Sequence, residues 1–168
     1  MRPDLKAVLH AHPPALVSFS IVRQCPNLDL LPSVRKVCPD VRIAIYDVPG
    51  SDALGERIGR VFASGCDIAI LENHGVCIGA PDMYTAFQRF ETLEYAANLE
   101  ILAKRIGKPT PLDEKAYKVA QTQLVENDVA VLDTGINDTT GLKFDGSGLV
   151  VAVLDTGLDY AHSAFDVN

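Results

Sequence analysis

The chain has 168 residues, 48% of them hydrophobic, which suits one ordinary domain with a real core and excludes a disordered segment. Its formal net charge is −7 and it holds no basic stripe, so the electrostatic footprint of a nucleic-acid binder is missing. The acidity is uneven: from Glu126 onward eight acids face a single base, Lys143, whereas the residues before it balance 14 acids against 14 bases.

In chain order, "KAVLHAH" reads as a strand, and Pro13 and Pro14 then suit the first turn of a helix through "ALVSFSIVRQ", where their missing N–H groups cost nothing. "VRIAIYDV" predicts a second strand. Ser51 is the expected N-cap of a helix with Leu54, Ile58, Val61 and Phe62 on one face, ended by Gly65. "DIAILENHGVCIG" reads as two strands around a turn at Asn73, His74 and Gly75. The longest helix is expected from Pro81 to Ile106, with Met83, Phe87, Phe90, Leu93, Ala97 and Ile101 along one stripe, closed by Gly107 and Pro109. Glu91, Glu94 and Glu100 then form its solvated face, with Lys104 pairing with Glu100, and a short helix follows from Asp113 to about Gln123.

This alternation of strands and helices predicts an α/β domain over residues 1–124. Residues 125–168 form an acidic tail in which "VAVLDTG" occurs twice, at Val129–Gly135 and Val151–Gly157, each a buried strand leading into a tight turn. Cys25, Cys38, Cys66 and Cys77 include no C-x-x-C pair and read as reduced, mostly buried thiols. "MRPDLKAVLHAH" lacks the apolar stretch of a signal peptide, and no apolar run is long enough to span a bilayer, so the expected location is cytoplasmic with no membrane partner.

The chemistry concentrates on histidine. His10 and His12 lie two apart in a strand, so their side chains share a face with backbone positions about 6.6 Å apart. Neutral imidazole is the commonest nitrogen ligand of zinc, and His74, at a strand end beside a glycine, is the candidate third ligand. Glu72 shares the face of His74 if the backbone there is extended; a surface or structural role is the reading favoured for it over that of a base.

"VLHAHPP", the intervening "DVPGSDALGERIG" and "LENHGVCIGAPDMYTAFQRFETLEYAA" resemble the class II aldolase/adducin family over residues 5–123. The resemblance implies a three-layer αβα sandwich, Zn2+ or another divalent metal held by His10, His12 and His74, and a homo-oligomer, usually a tetramer, with active sites at subunit contacts. It also implies a lyase of carbohydrate metabolism, an aldolase or sugar-phosphate epimerase. Its partner is a sugar phosphate of fuculose-phosphate type or an aldehyde, and the metal stabilises the enediolate left by retro-aldol cleavage. Family members carry a phosphate-gripping loop and an acid/base glutamate ahead of the H-x-H. Only nine residues precede His10 here, so the expectation is zinc affinity with impaired aldolase activity. A noncatalytic scaffold like adducin is the alternative.

The tail carries a second resemblance. "DGSGLVVAVLDTGLDYAHSAFD", residues 145–166, is similar to subtilisin-like serine proteases around their catalytic aspartate, which implies that role for Asp155. His162 matches the histidine shortly after D-T-G, which is not the catalytic one. A peptidase fragment is therefore the second alternative.

Overall fold

The computed structural model describes residues 2–126 and 150–154. The elements are β1 (Ala7–Ala11), α1 (Pro14–Ile21), α2 (Val34–Val37), β2 (Arg42–Ala44), α3 (Asp52–Ala63), β3 (Ile68–Leu71), β4 (Gly75–Ala80), α4 (Met83–Ile106), α5 (Glu114–Glu126) and β5 (Val150–Leu154). The strands form one mixed sheet in the order β2-β3-β4-β1-β5. β4 runs antiparallel to both neighbours, and β2–β3 and β1–β5 are parallel pairs.

Alternate residues of each strand feed opposite faces, and the two faces bury different things. Leu9, Ile68, Ile70, Val76 and Ile78 point to one side, where they meet Leu16 and Phe19 of α1, Leu93 and Ala97 of α4, and Cys38 just after α2. Ala44, Ala69, Leu71 and Cys77 point to the other, where Ile58, Val61 and Phe62 of α3 cover them. Helices thus lie on both faces, as the αβα reading requires. The full stripe expected on α4, Met83 to Ile101, lies against the larger core.

Local signals place most helix ends. Ser51 caps α3 by accepting the Leu54 N–H at 3.2 Å, and Gly65 follows that helix at φ +91°, a conformation that a Cβ disfavours. Asp82 caps α4 through the Thr85 N–H at 2.6 Å. Cys38, Cys66 and Cys77 are buried, Cys25 partly so, and all four are free thiols. Among the described residues no helix is long and apolar enough to cross a membrane.

Three expectations are corrected. The strand predicted over "VRIAIYDV" is shorter: β2 stops at Ala44, opposite the last residue of β3, Leu71. The Tyr46 N–H donates instead to the Glu72 carboxylate at 3.0 Å, and Ile45 and Val48 lie exposed. Of the surface or structural role expected for Glu72 the structural one holds and the surface one does not: it is buried at 5% exposure and ion-paired with Arg23. Nor is the acidic side of α4 a solvated face. Glu100 is buried and accepts the Asn27 N–H at 2.6 Å, while also pairing with Lys104 at 2.8 Å as expected. Glu94 accepts N–H groups from α1, and Glu91 is half-buried, its carboxyl pushed up by burial. The reason is that the chain around residues 12–27 packs across α4, a neighbour that the periodicity of α4 alone does not reveal.

Part of the second "VAVLDTG" copy lies in β5, which sets Ala152 beside Leu9 and Val153 beside His10. The first copy, Asp155 and His162 lie outside the described residues.

Candidate metal centre

β1 carries His10 on the same face as Cys77, its direct partner across the β1–β4 ladder, and His12 follows immediately after the last residue of β1. α3 packs on β2 and β3 and reaches Cys77 of β4. Both histidines are half-buried.

His74 arrives from the tight connection between β3 and β4. Its N–H donates to the Leu71 carbonyl at 3.0 Å, and Asn73 turns the chain at φ 54°, a left-handed conformation that asparagine tolerates better than most residues. Gly75 is required for a steric reason: a Cβ there would stand 2.4 Å from the Ala11 carbonyl oxygen and 2.7 Å from His12 Cδ2. The absence of a side chain lets β4 start close enough to β1 for His74 and His12 to meet.

The three rings form a nearly equilateral triangle. Centroids are 4.7 Å apart for His10 and His12, 5.0 Å for His10 and His74, and 4.9 Å for His12 and His74. One nitrogen of each lies within 4.8 Å of one nitrogen of the others, so the donor set suits a single divalent cation. The Nδ1 atom of His10 lies 3.0 Å from the Val76 carbonyl oxygen, which can only accept, so Nδ1 carries the proton and Nε2 keeps its lone pair for a ligand. Cys77 sits 3.5 Å from the same Nδ1, and burial pushes its thiol up to about 11, so it stays protonated at neutral pH.

Glu72, two residues before His74, is committed elsewhere. Its oxygens take the Tyr46 N–H and the Arg23 guanidinium, and these hold its carboxyl below the usual glutamate range against the opposing effect of burial. A carboxylate so arranged is a structural tie between the end of α1, the end of β2 and the His74 turn, not a base.

Glu94 is the residue near the site that sequence reasoning misread. From α4 it accepts the N–H groups of Ala15 and Leu16 at 2.9 and 3.0 Å, capping the helix that follows His12. The signal was present: "HPPAL" opens a helix with no Ser, Thr, Asp or Asn to cap it, so an acceptor had to come from elsewhere in the fold.

Comparison with known proteins places this arrangement. The family model for the class II aldolase and adducin N-terminal domain matches residues 1–101. The 5-deoxy-D-ribulose 1-phosphate aldolase of Bacillus thuringiensis serovar kurstaki is 31% identical over 116 residues, covering 67% of this chain and 52% of that protein. Gamma-adducin of Rattus norvegicus is 30% identical over 105 residues, 61% of this chain and 14% of that one. A solved L-fuculose 1-phosphate aldolase matches with a TM-score of 0.58 at 27% identity, covering 69% of this chain and 54% of its own. The chain thus spans about half the length of these aldolases. None of these matches supports the subtilisin-like resemblance of residues 145–166.

Proposed function

Because the chain belongs to the class II aldolase/adducin family, we propose that it is a divalent-metal lyase, with zinc the expected ion, that cleaves a sugar phosphate by a retro-aldol reaction. The observation that carries this reading is the convergence of His10, His12 and His74, with ligand atoms all within 4.8 Å. Three imidazoles leave a tetrahedral ion one open position, the arrangement of a catalytic rather than a structural zinc site. When bound, such an ion acts as a Lewis acid for the negative charge that builds on substrate oxygens as a carbon–carbon bond breaks.

The chain's own residues prepare that site. Val76 holds the His10 tautomer, Gly75 admits the His12 ring, and the Glu72 tie anchors the turn that presents His74. The substrate class is a short ketose 1-phosphate of fuculose or 5-deoxyribulose type, which the names of the matched aldolases suggest. The same reading makes the protein a cytoplasmic homo-oligomer, tetrameric by family resemblance.

The test is metal analysis of the purified protein together with a coupled assay for dihydroxyacetone phosphate, run on both sugar phosphates with and without EDTA. Turnover that EDTA abolishes and zinc restores is the expected result. Protein that takes up no divalent metal, or turnover indifferent to EDTA, overturns the reading. The match to gamma-adducin favours a second reading, a noncatalytic assembly scaffold, whose pattern is self-association without turnover of either sugar phosphate.

A further inference from the structure

We infer that Glu94 is a positioning residue for the cation site, acting on His12 through the first turn of α1. The inference rests on the three-imidazole reading above and concerns what holds one of its ligands in place.

Only Pro13 separates His12 from the first residue of α1, so the place where that helix starts decides where the backbone of His12 leaves the sheet. A helix start normally presents four N–H groups without partners inside the helix. Here Pro14 at the first position has none, and Pro13 at the N-cap offers no side-chain acceptor. Val17 donates to the Pro13 carbonyl at 2.9 Å. That leaves Ala15 and Leu16, both buried, and the Glu94 carboxylate takes one N–H with each oxygen. Its negative charge also faces the positive end of the helix dipole. One turn further along α4, the Asn98 side-chain amide donates to Glu94 Oε1 at 2.9 Å and orients the carboxylate.

The opposite side of His12 is fixed as well. The open space at Gly75 is filled by the His12 ring, whose Cδ2 would stand 2.7 Å from a Cβ there. His12 is therefore held between a glycine on β4 and a helix start pinned from α4. Remove the pin and the helix start can shift, and with it the nitrogen that must meet those of His10 and His74.

The test titrates the metal-free full-length chain with Co2+, followed by its visible absorption, which reports coordination geometry. Glu94→Ala is expected to weaken Co2+ binding by about 10- to 100-fold and to change the band shape, as loss of a residue supporting a metal ligand does. Glu94→Gln keeps one acceptor oxygen but sets an NH2 group against the second backbone N–H; it retains the fold should the alanine variant lose it, and is expected to weaken binding in the same direction by a smaller factor. Asp82→Ala is the control: it removes a carboxylate cap from α4 at the far end of β4 from His74, lowering thermal stability while leaving the Co2+ constant and spectrum unchanged. Wild-type affinity and band shape in a folded Glu94→Ala or Glu94→Gln chain, or an equal loss in Asp82→Ala, would overturn the inference. No Co2+ uptake by the wild type would instead remove the three-imidazole reading, and this inference with it.

Discussion

The two faces of the sheet are built from the same strands but do different work. Under α1, α2 and α4 the alternate residues are mostly large and aliphatic, and among the described residues fifteen buried ones form one continuous core. Under α3, among the described residues, the buried set is four residues, three of them small, and the helix lies mainly on β2 and β3. The difference teaches where a site can lie. His10 lies on the thinly covered face, and the thick one supplies the rigidity that keeps its strand in register.

The largest effect should come from the thick face. Leu93→Ala empties a fully buried position on α4 and is expected to cost about 2–5 kcal/mol in denaturant unfolding. Ile58→Ala, on the half-buried face of α3, should cost about half as much or less. Equal losses would mean that the two faces are not energetically distinct. Gly75→Ala sharpens the comparison at the site itself. The added methyl group meets backbone at Ala11, which cannot yield like a side chain, so a loss of about 1–3 kcal/mol is expected. Cation uptake should weaken about 10-fold or more, since His12 is displaced with it.

The smallest effect is a pH dependence at the rim. Glu72 has a folded-state pKa below its ordinary value of 4.5, so the stability it contributes is fully present above that value and is lost as pH falls through the lower, folded-state one. Urea midpoints measured from neutral pH down to about pH 3 should fall less steeply in Glu72→Gln than in wild type. An identical slope in the two proteins would show that the Arg23 and Tyr46 contacts do not set that titration.

Much of this could be read along the chain. The shared face of His10 and His12 follows from the two-residue repeat of a strand, and the stripe from Met83 to Ile101 follows from the helical repeat. Ser51 and Gly65 announce the ends of α3 because capping is a matter of a few adjacent atoms. The short helix α2 gave no comparable signal: four residues are too few to show a period, and its cap residue Ser33 makes no side-chain hydrogen bond.

What the sequence determined by itself is therefore local: the elements, their buried sides, and two of the three imidazoles on one strand face. Only the tertiary structure decided that His74 completes the triangle, that Glu72 and Glu100 are buried anchors, and that Glu94 caps a helix almost eighty residues away. The physical reason is range. Backbone periodicity and capping act over one or two turns of chain, whereas the partner of a carboxylate or an imidazole is set by which surfaces pack together.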